Sequence, residues 1–193
     1  ELAVINYPSG TTSYSKGVML PYRSLWSNTT FAFEVLPLKA GDKIVSMLPM
    51  AHMYGLAFEF LYEFAVGCHI FFLTRMPSPK IIFQAYTEVK PNLIVAVPLI
   101  IEKIIKKSVL PKLETPAMKL LLKVPIINDK IKATVREQMI QAFGGNFAEI
   151  IVGGAAFNQE VEQFLKMIDF PYTVGYGMTE CGHIICYEDL TRF

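Results

Sequence analysis

The sequence predicts an α/β fold in which a largely parallel sheet is flanked by helices on both faces. Short, nearly continuous apolar runs, such as Leu93-Ile94-Val95-Ala96-Val97, alternate along the chain with longer stretches that repeat apolar residues at helical spacing. Strands buried on both faces read as unbroken apolar runs, and parallel neighbours need a crossover between them, usually a helix. A second observation bears on function. The polar and Gly-containing segments follow predicted strands, and in open sheets of this kind ligands bind beyond the carboxyl ends of the strands.

Taken in order, Leu2-Ala3-Val4-Ile5 is short enough to be a buried strand. Residues 22–36 read as a helix with Leu25, Phe31, Phe33 and Val35 as apolar anchors, ended by Pro37. Gly41-Asp42 turns the chain into a strand over 43–48, which Pro49 stops. Residues 53–66 form a helix closed by Gly67, and 68–73 the next strand. Pro77-Ser78-Pro79 opens a helix over 80–88, and a strand over 93–97 leads to Pro98 at the first turn of a helix running to about Lys107. The Pro- and Lys-punctuated stretch 111–125 reads as a loop with a short helix. A helix capped by Asn128 then carries Ile131, Val135, Met139 and Ala142 on one face and ends at Gly144-Gly145. A strand over 148–152, a helix over 158–168 capped by Asn158 with Val161, Phe164, Leu165 and Ile168 inward, and a strand over 172–174 continue the alternation.

Composition removes several classes of function. The 193 residues allow one sizeable core or two small subdomains, and the net charge of +1 offers no basic excess for nucleic acid. Cys68, Cys181 and Cys186 share no CxxC spacing, so reduced thiols in a cytoplasmic protein are expected. Residues 53–73 are the most membrane-like stretch, but Glu59, Glu63 and His69 interrupt it. A spanning helix needs about 20 mostly uncharged residues, so a buried helix followed by a strand is expected, and only surface contact with a membrane stays open. The chain opens inside a predicted strand at Glu1, shows no signal peptide and stops at Thr191-Arg192-Phe193 without a closing element, and is expected to be a piece of a longer protein.

Four segments carry candidate chemistry. Asn6-Tyr7-Pro8-Ser9-Gly10-Thr11-Thr12-Ser13-Tyr14-Ser15-Lys16-Gly17-Val18 leaves the first strand. Glycine lets backbone come close to an anion, N–H groups and hydroxyls donate to it, and a lysine adds charge, although a polar surface turn has the same composition. The order Lys16-Gly17 is the reverse of a Walker loop. Pro49-Met50-Ala51-His52-Met53-Tyr54-Gly55 runs from a strand end into a helix, where His52 reads equally as a helix-start residue satisfied by backbone. Val152-Gly153-Gly154-Ala155-Ala156-Phe157 suits a tight strand-to-helix turn with or without a ligand. In Gly175-Tyr176-Gly177-Met178-Thr179-Glu180, an aromatic face can stack on a purine, a hydroxyl can bind phosphate and a carboxylate can hold Mg²⁺ together with phosphates.

In this order, the four segments resemble the motifs of the AMP-forming adenylating enzymes, the superfamily of acyl-CoA synthetases, luciferases and adenylation domains. Tyr7, Ser9, Gly10, Thr11, Thr12, Lys16, Gly17 and Val18 match its phosphate loop, with departures at Pro8, Ser13 and Ser15. Where the family places glycine in a left-handed conformation, Ser13 would cost roughly 1–2 kcal/mol. The Tyr176 hexapeptide is identical to a common form of another family motif. Val97-Pro98-Leu99-Ile100-Ile101-Glu102-Lys103-Ile104 is similar to a stretch of long-chain acyl-CoA synthetases. In some fatty-acid relatives an aromatic gate lies four residues after the motif histidine; here that position is Leu56, with Tyr54 and Phe58 close by.

What the resemblance implies is a fold and a site. The chain would be a partial N-terminal adenylation domain over 1–193, lacking the downstream ribose-binding aspartate and the mobile C-terminal domain with its lysine. Lys16, Thr179 and Glu180 would be catalytic, with Glu180 on Mg²⁺. Ser9, Gly10, Thr11, Thr12, Ser13, Gly154, Ala155, Tyr176, Gly177 and Thr179 would bind ATP, and His52, Tyr54, Gly55 and Leu56 would border the acid substrate and the approach of CoA. The implied activity is that of a fatty acid–CoA ligase, inactive as the isolated piece. An adenylating ligase for an aryl or other small acid and a non-catalytic acyl- or nucleotide-binding module are the alternatives. Catalysis by positioning and charge neutralisation needs no nucleophilic side chain, and no Gly-x-Ser-x-Gly elbow is present.

Overall fold

The computed structural model describes residues 1–8, 16–113, 115 and 125–188. The chain opens as an antiparallel hairpin of β1 (Leu2–Asn6) and β2 (Val18–Pro21), with Asn6 opposite Val18. β2 is absent from the sequence expectation, because four residues ending on proline show no period of their own and are specified by pairing with β1. α1 (Tyr22–Val35) follows at once and ends at Leu36, whose extended backbone is what a following proline requires. Its buried face is Asn28, Thr29 and Ala32, whereas Phe33, an expected anchor, is half exposed and meets Tyr62 edge-on.

β3 (Lys43–Ser46) leads into α2, a continuous helix over residues 53–66 whose middle turn, Ala57–Leu61, is π-helical. α2 ends at Gly67, and β4 (His69–Phe72) pairs parallel with β3. The stretch 53–73 is thus a buried helix and a strand, as its charges require, and no helix among the described residues is long and apolar enough to cross a membrane. α3 (Pro79–Val89) is capped by the Ser78 hydroxyl, which accepts from Ile81 N at 3.4 Å. After β5 (Ile94–Ala96), α4 covers residues 98–113 with a second π-helical stretch, Ile105–Val109. It runs past Lys107 through Pro111, where a loop was expected. α5 (Pro125–Ala142) starts at a proline rather than at the expected Asn128 cap, and Ala142 is exposed while Phe143 is buried. β6 (Ile150–Val152), α6 (Gln159–Met167, capped by Asn158), β7 (Tyr172–Met178), a 3₁₀ turn (Thr179–Cys181) and β8 (His183–Glu188) complete the described chain.

β5, β6 and β7 are parallel neighbours, and β8 closes that edge antiparallel to β7. Asn92 joins this sheet to the β3–β4 pair: its N–H donates to Lys43 O at 2.7 Å, and its side-chain oxygen accepts from Lys43 N at 2.9 Å. The alternation of side chains along strands then divides the core in two. Ile94, Ala96, Ile150, Val152 and Tyr172 face α3, α4, α5 and α6, while Val95 and Ile151 face α1 and α2. Helices therefore cover both faces, as the unbroken apolar runs demand.

Candidate functional site

Segments far apart in sequence meet beyond the carboxyl ends of β3, β5, β6 and β7. They enclose a cleft of about 270 Å³. Leu48, Pro49, His52, Met53, Tyr54 and Gly55 form one wall, and Val97, Gly154, Gly177, Met178 and Thr179 form the rest.

The first wall is built by a proline stop and a tight helix start. Pro49 cannot extend the strand; its carbonyl accepts from His52 N at 3.0 Å, and His52 O accepts from Leu56 N at 3.0 Å to begin α2. α2 lies so close over this turn that a Cβ on Gly55 would stand 2.8 Å from the Pro49 oxygen, so glycine is required there. The Tyr54 hydroxyl crosses to the sheet, 3.1 Å from Ile151 O and 3.4 Å from Ala96 O. Tyr54 lines both the cleft and a smaller apolar pocket that Phe58, Ile151 and Tyr176 help to line. On the opposite side Gly154 has φ +84°, a backbone conformation that glycine adopts without strain and that turns the chain from β6 toward α6.

β7 continues to Met178 instead of stopping at Val174, so Tyr176 and Gly177 belong to a strand and not to a turn. Pairing with β8 sustains it through a sequence whose glycines disfavour strand, and the register shifts between Tyr176 and Gly177. Thr179 lines the cleft and Glu180, next to it, is exposed.

The cleft thus gathers His52, Tyr54, Gly55, Gly154, Gly177 and Thr179. Tyr176 lines the smaller pocket. Leu56, Ala155, Glu180 and Lys16 do not line the cleft; Lys16 is exposed ahead of β2. Ser9, Gly10, Thr11, Thr12 and Ser13 lie outside the described residues. The stem that leads to them is tied to the cleft, since Asn6 Nδ2 donates to Ala51 O at 2.7 Å, and β2 packs on the Thr179–Cys181 turn. Among the described residues no three His, Cys, Asp or Glu side chains converge as metal ligands.

Three supporting residues escape the motif reading. Asn28 of α1 donates to Gly182 O at 2.6 Å and accepts from Ile184 N at 3.1 Å, so it holds the turn that follows Thr179. Its helical spacing from Leu25 and Ala32 marks it as an inward position, which is the signal available in sequence. Glu102 accepts from Asn158 N at 3.0 Å, joining α4 to the start of α6. Glu59, fully buried in the π-helical turn, accepts from Ser46 Oγ (3.1 Å), Met47 N (2.9 Å) and Leu48 N (2.7 Å).

Comparison with known proteins places this architecture. The AMP-binding enzyme family matches residues 1–192. Long-chain-fatty-acid–CoA ligase ACSBG2 of Rattus norvegicus is 30% identical over 219 residues, covering 100% of this chain and 33% of its own. Long-chain-fatty-acid–CoA ligase 3 of Saccharomyces cerevisiae is 27% identical over 217 residues, covering 100% and 30%. This chain therefore spans about a third of the length of these relatives. The crystal structure of ATP-bound MatB from Rhodopseudomonas palustris shares the fold at a TM-score of 0.68 and 20% identity, over 97% of this chain and 31% of that one. With its two-sided α/β core and a match over almost every residue, the chain belongs to the AMP-binding enzyme family.

Proposed function

We propose that this chain is part of the N-terminal domain of a fatty acid–CoA ligase and forms its ATP- and acid-binding cleft. The observation that carries the reading is the convergence of three separated motifs, around His52, Gly154 and Thr179, on one cavity at the strand ends. The similarity to long-chain-fatty-acid–CoA ligases supports a fatty acid as the acid.

In the proposed reaction the acid's carboxylate attacks the α-phosphorus of ATP, and the bond to pyrophosphate breaks. The thiol of CoA then attacks the acyl carbon of the adenylate and expels AMP. Neither step needs a protein nucleophile; the barrier falls through alignment and through donors aimed at developing charge. The Thr179 hydroxyl, beside the cleft, donates to phosphate oxygen, and Lys16 with Ser9, Gly10, Thr11, Thr12 and Ser13 holds the β- and γ-phosphates. Gly154 and Ala155 leave room for the flat adenine, on which Tyr176 stacks. His52, Tyr54, Gly55 and Leu56 border the acid. Magnesium commonly binds through one or two carboxylates plus substrate phosphates, so the single exposed Glu180 suits it, and its charge would offset that of the triphosphate.

The test is acid-dependent pyrophosphate–ATP exchange by the intact protein over a panel of long-chain, short-chain and aryl acids. Exchange strongest with long-chain acids is expected. Preference for an aryl or short acid would reassign the substrate, and no exchange with any acid would leave a non-catalytic binding module.

A further inference from the structure

The strand exit that leads into the His52 turn is held by a carboxylate that no motif includes. Glu59 Oε2 accepts three hydrogen bonds from consecutive residues, Ser46 Oγ, Met47 N and Leu48 N. These residues connect the end of β3 to Pro49 and His52, and Leu48 itself lines the cleft. The side chain comes from the centre of the π-helical turn Ala57–Leu61, and π-helical turns occur often at functional sites. We propose that Glu59 is a positioning residue for the cleft: its buried carboxylate fixes residues 46–48 and thereby the His52 wall.

Three donors on one oxygen suit an anion, because a carboxylate only accepts and binds such donors more strongly than a neutral acid does. Burial opposes ionisation and pushes the Glu59 carboxyl up to about 7, while the bonds from Leu48, Ser46 and Met47 pull it down. The groups facing it are Ser46 on β3, Tyr86 on α3, and Glu63 one turn further along α2. Glu63 is fully buried; burial, helped by the charge of Glu59 and opposed by its own backbone N–H, pushes it up to about 8. Among the described residues no cation acts on Glu59. Near neutral pH the Glu59 anchor is therefore poised between its two forms: ionised above about 7 it grips the turn, and protonated it releases part of that grip.

Fold stability runs the other way. A carboxyl raised in the folded state stabilises the fold below its unfolded value of 4.5, and that contribution is lost as pH rises through about 7. Positioning and stability thus have opposite pH signs, which separates them experimentally.

The proposal rests on the ligase reading for its activity assay only. In the intact protein, kcat/KM for pyrophosphate exchange should show an acid limb near 7. Glu59→Gln keeps size and one acceptor oxygen but cannot ionise; it should lower kcat/KM about tenfold on the alkaline side and abolish the limb, with Tm unchanged or higher. Ser46→Ala removes one bond to the anion and should move the limb to higher pH. Amide hydrogen exchange supplies an activity-independent readout: after correction for intrinsic rates, protection of Met47 and Leu48 should weaken below about 7 and be weak at every pH in Glu59→Gln. Wild-type kcat/KM with an intact limb in Glu59→Gln, or Met47 and Leu48 protection indifferent to pH and substitution, would overturn the proposal. If Glu59→Gln does not fold, an unmoved limb and unmoved protection in Ser46→Ala overturn it. If no acid supports exchange, the ligase reading fails and the amide data alone decide the role of Glu59.

Discussion

At the scale of single residues, position and chemistry separate two glutamates that both lie outside the core. Glu180 is exposed beside a cleft residue, Thr179, so its removal opens no core cavity. Glu162 lies half-buried on α6, where its side chain pairs with Lys166 at 2.8 Å. Such pairs contribute little, and substitutions outside a core usually change stability by about 0.5 kcal/mol or less. Glu180→Gln should therefore leave thermal melting almost unchanged yet lower pyrophosphate exchange by at least about a hundredfold, since each ~1.4 kcal/mol is tenfold. Glu162→Gln should be silent in both. Near-normal exchange in Glu180→Gln would remove Mg²⁺ from its role. Glu63 makes the reverse case, a carboxyl whose effect is on stability. Its folded value of about 8 against 4.5 means that ionisation is disfavoured by the fold, so wild-type stability falls as pH rises between those values. Glu63→Gln lacks that slope. Its advantage over wild type should grow across this interval to the order of a few kcal/mol, which urea melts at several pH values will measure. A constant difference across pH would mean that Glu63 is not buried as a titrating acid.

At the scale of elements, the comparison of sequence with structure has a physical pattern. Helices with a strong period and an explicit cap, such as α6 behind Asn158, are legible almost to the residue. β2, β8 and the upper half of β7 are not, because their strand character comes from pairing partners and not from their own composition. The π-helical turn of α2 is equally hidden: its spacing of apolar residues fits an ordinary helix, and only the packing of Glu59 on the β3 exit distinguishes it. Motif glycines were legible as a requirement for small side chains, but not which atom stands in their way, as the Pro49 oxygen does for Gly55. Asn28 shows how one element positions another. Its amide ties α1 to the end of the Thr179–Cys181 turn and to the start of β8, through Gly182 O and Ile184 N. Asn28→Ala would leave those buried groups unpaired at a cost of about 2–4 kcal/mol. It should also reduce exchange by loosening the Thr179–Cys181 turn. A melt shifted without any change in exchange would show that the turn keeps its place without α1.

At the scale of the whole molecule, the two-sided core sets out strand ends as a rigid rim, and the cleft forms where those ends stop. Apart from the imidazole of His52, the walls are apolar, glycine or hydroxyl in character, and no lysine or arginine among the described residues lines them. Transfer at the α-phosphorus of ATP builds negative charge, and lowering its barrier takes preorganised positive charge in addition to hydroxyl and amide donors. Lys16 is exposed, ahead of β2, and Glu180 can recruit one metal ion at most by itself. Because the chain spans about a third of the length of its curated relatives, we propose that the remaining positive charge, and the group that binds ribose, come from the rest of the protein. The expected outcome is specific. The 193-residue chain alone should unfold cooperatively in urea, held by its two-faced core, yet form no measurable acyl-CoA from ATP, CoA and a long-chain acid, while the intact protein does. Weak, Mg²⁺-dependent ATP binding by the isolated chain, followed by calorimetry, is compatible with this division. Turnover by the chain at a rate comparable to that of the intact protein would mean that the cleft holds all the charge the reaction needs, and the division of labour argued here would fall.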